Sequence, residues 1–167
     1  MIRGVAQANV FGAEFEYDAN DPEGYRAGMA RVGEAAGGQE LVVKLFEIPP
    51  GESLCPYHYE YVEEWLLVLA GDVVVRVPDG EEPATAGDLV CFPAGPRGGH
   101  KLTNAGAAPA RMIMFSSARE PSVSVYPDSD KIGVWAGEDR AMLRRADGNV
   151  DYYDGESAGR STPAAPG

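Results

Sequence analysis

Cationic residues are scarce in this sequence. Its 167 residues hold 14 Lys and Arg against 26 Asp and Glu, a net charge of −12 at neutral pH. A chain this acidic repels phosphate backbones and anionic headgroups, so neither nucleic acid nor a membrane surface is an expected partner. Long apolar runs are missing too. No stretch approaches the ~20 residues of a membrane-spanning helix, and Met1 to Val10 lacks the charged-then-apolar order of a secretion signal. A cytoplasmic location is expected. Cys55 and Cys91 are too few for a disulfide scaffold and are expected as free thiols, a reactive or metal-bound thiol being the alternative. Histidine is equally rare, with His58 and His100 the only two.

What the chain has in quantity is turn-forming and apolar residues. Hydrophobic residues make up 44%, and 21 Gly and 13 Pro are scattered between short apolar runs. A chain of this length suits one domain and buries roughly two-thirds of its unfolded surface. The punctuation predicts an all-β sandwich or barrel. Strands are expected near Glu14, from Tyr25 to Val32, Leu41 to Ile48, Tyr57 to Leu69, Asp72 to Val77, Gly87 to Phe92, His100 to Thr103, Ala110 to Phe115 and Ser122 to Tyr126. Met142 to Arg145 and Val150 to Tyr153 flank Asp147-Gly148, a hairpin signal, although Glu138 to Arg145 also has ordinary helix propensity.

The two histidines sit among carboxylates. In an extended strand, His58, Glu60 and Glu64 share parity and so point to one face. Glu64 lies further along and needs a twist or bend to converge with the other two. His100 must come from a neighbouring strand. Two neutral imidazoles and two carboxylates around a divalent cation form a neutral set, which suits a low-dielectric interior. Without the ion, the paired carboxylates repel and one takes a proton. Imidazole and carboxylate donors suit Mn, Fe, Zn or Ni, and no thiolate is placed to favour Cu(I). Glu63 competes with Glu64, but its parity puts it on the outer face with Tyr57, Tyr59, Tyr61 and Trp65. That aromatic stripe is either covered by the N-terminal strands or part of a subunit interface.

The spacing of these residues resembles the cupin superfamily. Its usual first motif runs Gly, five residues, His-x-His, three or four residues, Glu, six residues, Gly. Here Gly51 is followed after six residues by His58-x-Glu60, then Glu64 after three and Gly71 after six. The usual second motif runs Gly, five residues, Pro-x-Gly, two residues, His, three residues, Asn. Here Gly87, Pro93-Ala94-Gly95, His100 and Asn104 follow, with Pro96-Arg97-Gly98-Gly99 adding two residues before His100. Glu60 stands in place of the second histidine, a ligand for a ligand that shifts the set toward oxygen donors.

The resemblance implies a cupin jelly-roll β-barrel over 41–120. N-terminal strands at 1–40 would pack on or extend it, and C-terminal strands or a hairpin at 121–156 would belong to the same domain. A disordered tail is expected at 157–167. It also implies one divalent metal ion on His58, Glu60, Glu64 and His100, a small-molecule ligand and a homodimer. The activity implied is a metal-dependent enzyme, either sugar-phosphate isomerase-like or an oxygenase or decarboxylase of a small acid. A non-catalytic small-ligand or metal-binding module is the other reading, as is a barrel that has lost its metal.

Further residues carry two readings each. Arg97, before His100, either holds an anionic substrate at the mouth of the site or is solvated. Asn104 either lines the site or ends a strand and starts a turn. Asp128 and Asp130 belong to a turn, or else supply a second metal or an acid. Met112 and Met114 share a strand face and are expected in the core, and Lys101 is expected at the surface.

Overall fold

Alternating branched and aromatic residues set the architecture of the computed structural model, which describes residues 4–145. In chain order the elements are β1 (Gly28–Ala30), α1 (Val32–Ala35), β2 (Leu41–Ile48), β3 (Tyr59–Glu60), β4 (Glu64–Ala70), β5 (Asp72–Val77) and β6 (Gly80–Thr85). There follow β7 (Leu89–Phe92), β8 (Lys101–Thr103), β9 (Ala110–Ser117), β10 (Ser122–Tyr126), β11 (Lys131–Ala136) and β12 (Asp139–Arg144). Single 3-10 turns occur at Pro96–Gly98 and Pro127–Ser129.

The strands form three sheets, in the orders β1-β2-β9-β4-β7, β12-β11-β10-β3 and β6-β5-β8. All pairs are antiparallel. β2 and β9 pair along their whole length, from Leu41 opposite Ser117 to Ile48 opposite Ala110. Apolar residues of the five-stranded and three-stranded sheets meet in one core: Ile48, Leu66, Val68 and Met112 from the first, Val73, Val75 and Leu102 from the second. Leu66 is fully buried there, and truncating such a leucine to Ala costs about 2–5 kcal/mol. Gly71 makes the tight link between β4 and β5. Its φ is +76°, and a Cβ there would lie 2.9 Å from the Ala110 Cα, so only glycine fits.

The strands expected at 41–48, 72–77 and 122–126 are present with those bounds, and Met112 and Met114 are buried as expected. Other expectations are corrected. The run from Tyr57 to Leu69 is not one strand: the chain bends at Tyr61 and Val62, dividing β3 from β4. The aromatic stripe breaks up with it. Tyr57 is buried, with the Arg76 guanidinium 4.1 Å from its ring centre. Tyr61 is exposed, while Trp65 stacks on its cross-strand partner Phe115.

Among the described residues, the N-terminal segment contributes β1, a bridge from Glu16 to Met29, and the unexpected short helix α1. β6 was hidden by Pro83 and three exposed polar positions; it is an edge strand, where a missing N–H is tolerated. The stretch with helix propensity, 138–145, is mostly β12. The hairpin turn at Asp147-Gly148 lies outside the described residues.

Candidate metal centre

The two histidines are brought together by their own backbones. His58 and His100 form an isolated antiparallel bridge in which each donates its N–H to the other's carbonyl, at 3.1 and 2.8 Å. His58 precedes β3, and His100 follows the Pro96–Gly98 turn. Glu64 begins β4 and presents its carboxylate to both rings. Its Oε2 lies 3.9 Å from Nε2 of His58 and 3.8 Å from Nε2 of His100.

Each imidazole is oriented from behind. The Nδ1 of His58 is 3.1 Å from the Pro56 carbonyl, and that of His100 is 2.9 Å from the Gly98 carbonyl. A carbonyl can only accept, so both Nδ1 atoms carry the proton and both Nε2 lone pairs face Glu64. Packing fixes the ring planes. Phe92 stacks on His100, and Tyr126 stacks on His58 with centroids 5.6 Å apart.

Burial sets the protonation of all three groups. His100 is pulled down to about 4, first by burial and then by the neighbouring His58, with the Gly98 hydrogen bond opposing. His58 is also lowered by burial, against the opposing Glu60 carboxylate and the Pro56 carbonyl. Glu64 is pushed up to about 8 by burial and then by Glu60, with Lys44 pulling the other way. The contacts between Glu64 and the histidines are therefore not ion pairs: the rings are neutral, and the distances exceed those of hydrogen bonds. Three donor atoms within 4.8 Å of one another, two with free lone pairs, form a set that a divalent ion fits.

Glu60 lines the same cavity but is outside this trio. Its Oε1 accepts a 2.7 Å hydrogen bond from Ser124, its cross-strand neighbour. The bend at Tyr61 and Val62 turns β4 so that Glu64 reaches both rings, while Glu60, on His58's side of the bend, is held by Ser124 of β10.

Arg97 and Asn104, each given two readings above, both take the one without a ligand contact. Arg97 is exposed in the Pro96–Gly98 turn and does not line the cavity. Asn104 is fully buried away from it: its Nδ2 donates to the carbonyls of Ile48 and Ala108, and its Oδ1 accepts from Gly106 N–H. It therefore organises a turn. Asp128 pairs with Arg76 through two hydrogen bonds, and Asp130 lies in the turn before β11, 4.0 Å from Arg145. Neither joins a metal-binding group among the described residues.

The cavity has a volume of about 480 Å³, the size of a small-molecule site. Sequence reasoning missed Lys44, Cys55, Tyr126 and Trp135 in its wall. The Cys55 sulfur lies 3.5 Å from Nδ1 of His58. Burial, then Glu64 and Glu60, push its thiol up to about 12, which keeps it protonated. Cys91 is exposed, and neither cysteine is in a disulfide.

Residues 44–116 match the cupin domain family. A curated relative, the tetracenomycin polyketide synthase protein TcmJ of Streptomyces glaucescens, is 34% identical over 76 residues; the match covers 45% of this chain and 49% of that protein, about half its length. Among solved structures, a sugar phosphate isomerase of the cupin superfamily from Silicibacter pomeroyi superposes with a TM-score of 0.74 at 26% identity, covering 89% of this chain and 98% of that one. The polyketide cyclase RemF of Streptomyces resistomycificus superposes with a TM-score of 0.58 at 19% identity, over 70% of this chain and 82% of that one, a likeness of fold. No helix among the described residues is long and apolar enough to cross a membrane.

Proposed function

We propose, for a chain that belongs to the cupin superfamily, that His58, Glu64 and His100 hold one divalent metal ion and that the protein is a metal-dependent enzyme acting on a small molecule. The observation that carries this reading is the convergence of two free Nε2 lone pairs and one carboxylate at the wall of a cavity of about 480 Å³. Mn, Fe, Zn and Ni suit the donor set. Glu60 remains the proposed fourth ligand. It is close enough to push Glu64 upward, and release from Ser124 would free its oxygen. A bound divalent ion supplies Lewis-acid polarisation of a carbonyl or enolate oxygen. The chain's own part is to hold both imidazoles neutral and oriented and to enclose the ligand in a largely apolar wall.

The jelly-roll barrel closure usual in this family is part of the same proposal. Sugar-phosphate isomerisation is named for the relative from Silicibacter pomeroyi. Oxidation or decarboxylation of a small acid is the other reaction class considered for this site. A non-catalytic ligand-binding module would use the same cavity without turnover.

Elemental analysis of protein purified without a histidine tag and reconstituted with divalent metal tests the centre. One equivalent per chain is expected, with most of it lost in His100→Ala. Wild-type protein with metal at background overturns the reading. Reduced metal content in Glu60→Ala supports Glu60 as a ligand, and unchanged content leaves it to Ser124. Turnover of candidate acids and sugar phosphates by the loaded protein separates enzyme from binding module.

A further inference from the structure

One charge in the cavity wall is not required by the metal donors. The inward face of β2 reads Val42, Lys44, Phe46 and Ile48 by strand alternation. Ile48 is fully buried in the core, and the other three line the cavity. Lys44 thus occupies an interior strand position between two apolar residues. Across the sheet it sits opposite Met114, one row along from Val42, Ser116 and Glu64. Among the described residues no carboxylate lies within ion-pair distance of its ammonium. An inward, half-buried and unpaired cation is costly in a fold that could place Leu or Met there. A ligand's negative charge removes that cost.

The rest of the wall narrows the ligand. Phe46, Leu54, Val62 and Met114 are apolar. Trp135 adds an aromatic surface held in place by Gly133, where a Cβ would fall 1.8 Å from the indole ring. A sugar phosphate calls for a fan of donors around its hydroxyls and a multidentate cradle for a dianion. Here Ser116, Ser117, Ser122 and Ser124 supply hydroxyls, but a multidentate cradle for a dianion is missing: Arg119, the other Lys or Arg of the wall, is exposed at the rim, where water screens it. Lys44 is a single point charge, suited to one anionic group.

Resting on the metal reading above, we propose that Lys44 is the anion-recognition residue of this site and that its ligand is a small organic carboxylate with an apolar body. The carboxylate lies between Lys44 and the donor trio, and the body lies along Phe46, Met114 and Trp135.

Calorimetric titration of the metal-loaded protein with benzoate and benzamide, which share a shape and differ in charge, tests this. Benzoate is expected to bind more tightly. Lys44→Met should lower benzoate affinity about tenfold, leave benzamide unchanged and keep full metal content. Lys44→Arg should retain the preference for benzoate. Undiminished benzoate affinity in Lys44→Met overturns the inference, as does tighter binding of glucose 6-phosphate than of benzoate by wild type. Metal analysis of the same samples separates the two readings. Full metal without a Lys44-dependent preference overturns the carboxylate assignment alone, whereas wild type without metal overturns both.

Discussion

Phe92 lies flat against the imidazole of His100, with ring centroids 3.8 Å apart and planes 12° from parallel. The same residue is the register partner of Glu64 across β4 and β7. One buried aromatic thus spans two of the three donors and fixes the plane of one.

Replacing that ring separates stability from metal affinity. Phe92→Ala should lose about 3–5 kcal/mol, the usual cost of emptying a buried aromatic site. Phe92→Leu should stay folded but lose the stacking surface, and its metal affinity should fall about 10–100-fold, as when a supporting partner of a ligand is removed. Thermal melts and competitive chelator titrations read the two effects. A Leu variant with wild-type metal affinity would show that the Gly98 hydrogen bond alone orients His100.

The metal-stripped protein should lose stability as pH rises from about 6.5 to 8. Glu64 is raised from 4.5 to about 8 in the fold, so the folded state holds its proton through this window while the unfolded chain has released it. That contribution is full below the unfolded value and is lost on passing the folded one. His100, lowered from 6.5 to about 4, acts in the opposite sense and mainly below pH 6.5, where the unfolded chain binds the extra proton. Above 6.5 the Glu64 slope stands alone, at most about 1.4 kcal/mol per pH unit. Urea unfolding of chelator-treated wild type and Glu64→Gln checks this. The Gln variant should flatten the slope, and an identical slope would refute the assignment.

Gly133→Ala should displace Trp135 from the cavity wall, because the added methyl falls inside the indole ring. A cost of about 1–3 kcal/mol is expected from overpacking. The only other tryptophan is Trp65, so fluorescence in a Trp65→Phe background reports Trp135 alone. A red-shifted emission is expected, and an unchanged spectrum would mean that the backbone yields instead.

Two copies per particle are expected in solution. β12 ends the four-stranded sheet, and Met142 and Leu143 on it are 50% and 57% exposed. Exposed edges with apolar side chains favour pairing with another chain. Light scattering should give about twice the 17.7 kDa chain mass. A single-chain mass that does not change on concentration would count against it.

Much of this site was legible in the sequence, for a physical reason. His58, Glu64 and His100 are tied to turns by fixed spacing, and Gly71, Gly87 and Gly95 all take positive φ, so glycine marks where the chain must reverse. Strand parity worked within β2 and β5 and failed between Tyr57 and Trp65, because it assumes an unbroken strand. That failure broke up the aromatic stripe, whereas Glu60, before the bend, is drawn to Ser124, a partner on β10 that nothing local predicts. Lys44 had a visible signal, being in phase with Val42, Phe46 and Ile48, yet which face of β2 bounds a cavity is decided by distant strands. Nothing local marks Ser124 or Trp135 as cavity residues, since β10 and β11 reach the site only through pairing with β3.

The bridge between His58 and His100 also constrains when the centre can exist. It joins segments separated by all of β3 to β7, so a long loop must close before the two rings meet, and contacts of that kind form late. An ion arriving earlier finds scattered single donors. Once seated, it stabilises interactions absent from the folding transition state, so it should slow unfolding and leave the folding rate nearly unchanged.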